Sequence, residues 1–288
     1  MRRLAFIFAF ACLIPAAASG QGVGEAPAAV GGLDKVSRAL GVPIVVRAGG
    51  LRVDTPFGPI TAGPAGEGLE DFAGVLAEEL AIYPRALMER SRLRKIVLAS
   101  DLAFNAQLRG AIPDYGGDAL YYDVSRGSHS RPYQRAAIHH EFFHVVDYRD
   151  DFEVYRDDAW SALNPPGFRY GPGGRDVQDD ALGFFLVDDV PGFLTRYATS
   201  GVEEDKAEVF SRMIVAPREV ARRAAADPIL ARKVARVKAL MRSFEPSVDD
   251  AFWKRVEDRE PAPTSPSPSP SGRSPAAGTD PSACAGAS

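Results

Sequence analysis

Residues 138–148 read IHHEFFHVVDY, and three of the chain's four histidines, His139, His140 and His144, crowd into this stretch. Within it stands H-E-x-x-H: His140, Glu141 and His144. On an α-helix, positions i and i+4 lie one turn apart on the same face. Two imidazoles so placed can hold one Zn²⁺ at about 2.0–2.1 Å each. Glu141 follows the first of them, so its carboxylate reaches toward water beside the metal rather than the metal itself. That is the position of a general base in a metallopeptidase. His139 precedes the motif on another face and takes no ligand role.

A catalytic zinc needs a third protein ligand and an open position. The remaining histidine, His129, lies in the polar stretch RGSHSRP, which leaves a carboxylate as the expected third ligand. Two places compete. In the metzincin pattern a glycine three residues after the second histidine turns the chain, and a ligand follows three further on. Here those positions are Asp147 and Asp150, and without the glycine the helix should run on and carry Asp150 away. The other place is RYATSGVEEDKAEVFSRMI (196–214), where Glu204 and Glu208 are i and i+4 on one helix face. Glu204 could bind the metal while Glu208 accepts a hydrogen bond from a ligating imidazole and fixes its tautomer. Read alone, Glu203, Glu204 and Asp205 are an acidic first turn favoured by the helix dipole. Beside H-E-x-x-H in a chain short of histidine, the ligand reading prevails.

These groups must be carried by regular elements. LEDFAGVLAEELAIYP (69–84) has helical apolar spacing and ends at Pro84. KIVLAS (95–100) and DALYYDVS (118–125), the latter after the turn signal DYGG, read as strands. RPYQRAAIHHEFFHVVDYRDD turns helical, with Ile138, Phe142, Val145 and Val146 on its apolar side. Residues 161–196 are broken by NPPG, GPGG and VPG. Helical spacing returns over 203–223, and two further helices are expected at 227–243 and 247–258. LGVPIVV and LRVDTPFGPI, within 22–68, look like strands that could fold over the cleft. The sum is an α+β arrangement: a small mixed sheet packed beside the histidine helix, with a helical C-terminal part.

Composition sets the outer limits. The chain has 288 residues, net charge −4 and two cysteines. MRRLAFIFAFACLIPAAASG has the charged, apolar and small regions of a signal peptide over 1–20, with an apolar run too short for a permanent span. That implies a secreted or periplasmic protein with no stable membrane span after cleavage. Ala9 and Phe10 make Cys12 a poor site for a lipid anchor. Residues 260–288, dense in Pro, Ser, Gly and Ala, are expected to be a disordered tail. Cys284 falls in that tail, so the domain at 22–259 has neither a disulfide nor a thiolate ligand. Arginines in the last helices interleave with apolar residues and read as a solvated helix face, not a nucleic-acid surface.

H-E-x-x-H followed at a distance by a glutamate on a second helix resembles the gluzincin layout. HEFFHVVD and YATSGVEEDKAEVF are similar to the catalytic domain of the anthrax lethal factor type and to bacterial zinc-binding metallopeptidases, whose pattern is roughly Y-x(6)-E-x-x-x-E-x-F. Tyr197, Glu204, Glu208 and Phe210 stand at that spacing. WSALNPPGFRY (160–170) is similar to the segment joining the two helices in the bacterial members. The resemblance covers about residues 90–215. It implies a zincin-like fold, a metal set of His140, His144 and Glu204, Glu141 as base, and Tyr197 near the reacting carbonyl. Asp147 matches the aspartate after the second histidine. One departure is the 60 positions from His144 to Glu204, longer than a minimal gluzincin needs.

The expected activity is zinc-dependent hydrolysis of peptide bonds in a peptide or protein substrate. Strand 118–125 could bind that substrate by β-addition, with one of Tyr121 and Tyr122 facing the cleft. Two alternatives are a secreted binding module with a structural or vestigial zinc site, and a zinc amidase acting on cell-wall peptide. Oligomeric state is left open by the sequence.

Overall fold

The structure, a computed structural model, describes residues 25–27, 30, 32–125, 130–171, 173, 186–187 and 189–260. The expected signal segment, the tail beyond 260, Cys12, Cys284 and His129 lie outside the described residues. Strands β1 (Glu25–Pro27), β2 (Ile44–Arg47), β3 (Leu51–Thr55), β4 (Gly58–Gly63), β5 (Lys95–Phe104), β6 (Gln107–Leu108), β7 (Ala111–Asp114) and β8 (Ala119–Asp123) form one mixed sheet. The early segment 44–63 is therefore part of the sheet and not a cover laid across a cleft.

Strand β5 is the spine. Its first half runs parallel to β2 and β8, and its second half runs antiparallel to β4 and β6. The change of partners falls at Asp101, which takes a left-handed φ of 53°, a conformation aspartate tolerates better than most residues. Just beyond it, the Leu102 N–H donates to the Asp123 carboxylate at 2.9 Å. One sheet face, with Ile96, Leu98, Leu120 and Tyr122, packs on helices; the other, with Val97, Ala119 and Tyr121, closes a smaller cluster with Ile60 and Ile112.

This pairing corrects one expectation. β8 is hydrogen-bonded along both edges, to β5 and β7, so it has no edge to offer a peptide. Tyr121 and Tyr122 are both buried, and the Tyr122 hydroxyl donates to the Ile138 carbonyl at 2.9 Å. Among the described residues the outer strand on this side is β7. It contains Pro113, as edge strands can. The Asp123 N–H bonds to the Gly110 carbonyl, which sets the alternation of the ladder. Ala111 and Pro113 consequently turn their backbone groups outward, away from β8.

Helices α1 (Leu33–Leu40), α2 (Leu69–Leu80) and α3 (Arg85–Ser91) precede α4 (Arg131–Asp151). Ser130 caps α4 by accepting the Tyr133 N–H, and Pro132 sits in its first turn. No helix breaker follows, so α4 runs through Asp150 to Asp151, as the missing glycine implied. After the short α5 (Asp158–Ser161) and a 3₁₀ turn (Tyr197–Thr199) come α6 (Val202–Val215), α7 (Pro217–Ala226), α8 (Pro228–Phe244) and α9 (Asp250–Arg259). The single helix expected over 203–223 is two. Pro217 has no N–H for a continuing ladder and disfavours helical backbone at Ala216, so the helix stops there and restarts with proline in its first turn. No helix among the described residues is long and apolar enough to cross a membrane.

Candidate metal centre

Helices α4 and α6 pack side by side, and their buried faces carry both aromatic and ionisable residues. Phe143 stacks on Phe210 with ring centroids 4.8 Å apart, which sets α6 against α4 opposite the polar positions. One turn away, His140, His144 and Glu204 converge, their nearest ligand-type atoms all within 4.8 Å of one another. His140 Nε2 lies 2.9 Å from Glu204 Oε2 and 3.1 Å from His144 Nε2; His144 Nε2 is 3.5 Å from the same carboxylate oxygen. All three side chains are buried.

Three electron-rich atoms facing one point repel unless a proton or a cation lies between them. Burial works against a charged His140, yet the hydrogen bonds it donates to Glu204 and Glu208 outweigh this and raise its pKa to about 10. Burial would likewise raise Glu204, but the two imidazoles reverse this and hold it well below the usual carboxylate range. Positive charge is therefore strongly favoured at this point, and the donor set of two imidazoles and one carboxylate suits a divalent zinc. Glu208 Oε1 sits 3.0 Å from His140 Nδ1, the nitrogen away from the convergence, and is itself anchored by Arg212 and Thr195. The His144 Nδ1 is buried without a hydrogen-bond partner among the described residues.

The other expected residues fall as follows. Glu141 is half-buried beside the convergence, and burial raises its pKa despite the opposing fields of His140 and His144. Tyr197, in the 3₁₀ turn before α6, places its ring 5.9 Å from that of His140 and hydrogen-bonds to Glu204; burial raises its pKa well above the ordinary value. Asp147 holds Lys206 Nζ at 2.8 Å, tying α4 to α6. Asp150 is exposed at the end of α4, outside the cluster. His139 faces the opposite way, between Glu79 and the Tyr83 hydroxyl.

Two features escaped the sequence reading. Asp205, next to Glu204, is wholly buried and receives hydrogen bonds from Trp160 Nε1, the Tyr170 hydroxyl and Lys233 Nζ at 2.8, 2.6 and 2.7 Å. This knot ties the start of α6 to the segment 160–170 and to α8. Tyr115, just beyond β7, lies within the electrostatic reach of Glu141 and Glu204. Periodicity signals neither: Lys233 reads as one more cation on a solvated helix, and Tyr115 as part of a turn.

A crystal structure described as a "putative zinc-binding metallo-peptidase" from Bacteroides caccae is similar in fold, with a TM-score of 0.51 over 79% of this chain and 88% of that one at 19% sequence identity. The likeness supports a zinc-metallopeptidase-like fold and does not bear on the lethal factor type. No family model and no curated protein matches the chain.

Proposed function

We propose that the chain is a zinc-dependent metallopeptidase acting outside the cytoplasm, with His140, His144 and Glu204 as the metal ligands. The observation that carries the reading is the convergence of these three buried donors with Glu141 beside them. Bound there, zinc supplies a Lewis acid that polarises the scissile carbonyl and lowers the pKa of water toward neutrality. The protein does the rest.

Glu141, its pKa raised by burial, takes a proton from the attacking water and passes it to the leaving amine. A carboxyl poised nearer neutrality is suited to both halves of that transfer. Tyr197 stays protonated at any physiological pH, so its hydroxyl can turn from Glu204 to donate to the oxyanion of the tetrahedral intermediate. Glu208 fixes the His140 ring by accepting its Nδ1 hydrogen, and Asp147 with Lys206 holds the two helices in register. The outward backbone groups of Ala111 and Pro113 on β7 offer an extended peptide a place to pair.

The test is hydrolysis of an unstructured protein such as casein by purified protein of measured zinc content. Cleavage that disappears on chelation, returns with zinc and is absent from Glu141→Gln is the expected result. Stoichiometric zinc with no cleavage of casein or of a mixed peptide library would overturn it.

A further inference from the structure

At the start of α6 lies a cavity of about 420 Å³, lined among others by Tyr155, Arg156, Asp157, Asp158, Tyr170 and Glu203. The charges in its wall are mostly matched. Asp158 is held by both nitrogens of a fork from Arg156. Asp157 caps α5 through the Trp160 N–H and pairs with Arg236 at 3.2 Å. Glu203 differs. It is only 6% exposed, it lines the cavity, and it has no ion pair among the described residues. Its carboxylate accepts a hydrogen bond from its own backbone N–H and folds back over Gly201, where a Cβ would lie 2.4 Å from Oε1. A side chain at 201 would displace the carboxylate.

A buried carboxylate with only the fields of His144 and Lys206 to offset its burial is costly unless something cationic reaches it directly. The surroundings fit such a visitor. Tyr170 contributes an aromatic wall, its hydroxyl already committed to Asp205. Tyr155, 77% exposed, stands at the rim within electrostatic reach of both Glu203 and Glu204. Aromatic faces attract guanidinium and ammonium groups. Tyr155 and Phe152 are also two of the few large apolar side chains left exposed on the described surface. Glu203 feels the fields of His144 and Glu204, so the cavity adjoins the converging donors, and a side chain seated in it belongs to a residue near the scissile bond.

We infer that this cavity is a substrate pocket for a basic side chain, with Glu203 as the residue that selects arginine or lysine near the bond to be cut. The inference rests on the peptidase reading for its consequence, although binding can be read without turnover. The probe is a set of blocked peptides, Ac-Ala-Ala-Xaa-Ala-Ala-amide, with Xaa arginine, lysine, citrulline or norleucine. They are titrated calorimetrically into Glu141→Gln protein with and without a second change, Glu203→Gln. The arginine peptide should bind about tenfold or more tightly than the isosteric citrulline peptide, as a charge-assisted contact to a buried carboxylate implies. Glu203→Gln should erase the difference. Tyr155→Ala, an exposed position that does not endanger folding, should weaken the arginine and lysine peptides several-fold and the norleucine peptide less.

Equal affinity for arginine and citrulline, or a preference unchanged by Glu203→Gln in a protein of native circular dichroism, would overturn the inference. Mapping of cleavage sites in casein separates the two readings. Cleavage with no enrichment of basic residues sinks the pocket alone. A basic preference in binding, lost in Glu203→Gln, with no hydrolysis by wild type supports the pocket and sinks the peptidase.

Discussion

A carboxylate that follows the first histidine on a buried helix has one proton-transfer task within reach, and Glu141→Gln removes it while preserving shape. The variant should retain zinc and lose roughly 10²–10⁴ in kcat, the usual yield of a positioned general acid–base; zinc content and turnover measured on the same sample decide it. For Tyr197→Phe, kcat should fall by about 10²–10³, the loss of one oxyanion donor, with KM little changed. A change in KM alone would make the hydroxyl a binding group. Glu208→Ala should weaken zinc about 10–100-fold by freeing the His140 ring, read by competition with a chelator. At this scale the sequence was informative. The i, i+4 repeat of His140 and His144, and of Glu204 and Glu208, projects the four groups onto facing helix stripes, where the structure places them. Glu203, by contrast, has in the sequence only the look of an ordinary acid at a helix N-terminus, because nothing in its neighbours reveals that it becomes buried.

The pairing of α4 with α6 is what turns two distant motifs into one centre, and its polar fastenings have predictable energetics. Lys233→Met leaves the Asp205 carboxylate buried against Trp160 and Tyr170 with no cation. Removing one partner of such a pair costs about 3–5 kcal/mol, visible as a lower urea midpoint. Asp205→Asn added to Lys233→Met should recover part of that loss, since the orphaned charge is what costs. Equal stability of single and double variants would contradict this. The elements themselves were partly legible. Long periodic helices at 69–80, 131–151 and 228–244 announce themselves, and so does the apolar run of β5. β7 did not: four residues containing a proline look like a turn, and only the ladder with β8 makes them a strand. The break at Pro217 was legible in principle, since proline cannot continue the hydrogen-bond ladder.

On the scale of the whole molecule, stability should depend on a second buried cluster behind the metal face. Glu79 accepts from Arg135 at 2.6 Å and meets His139 Nε2 at 2.9 Å. Burial pushes the Glu79 pKa up, but the His139 and Arg135 contacts more than reverse it and lower it from 4.5 to about 2. A carboxyl depressed by folding stabilises fully above its unfolded value and loses that contribution as pH falls through the folded one. The Glu79 contribution should therefore be complete above about pH 4.5 and fade toward pH 2. Glu79→Gln should destabilise the protein near neutrality and flatten the acid limb of its stability curve across that window. An unchanged acid limb would exclude Glu79 as its source. Wild-type unfolding by denaturant at a series of pH values provides the reference. Long-range closure of this kind, between α2 and α4, leaves no periodic trace in the chain.

The claim beneath all of these is that residues 64 positions apart, on α4 and α6, share one ion. Metal analysis of purified wild type beside His144→Ala and Glu204→Ala addresses it most directly. One zinc per chain in the wild type and substoichiometric metal in both folded variants is the predicted result. Full zinc retention by folded Glu204→Ala would contradict it.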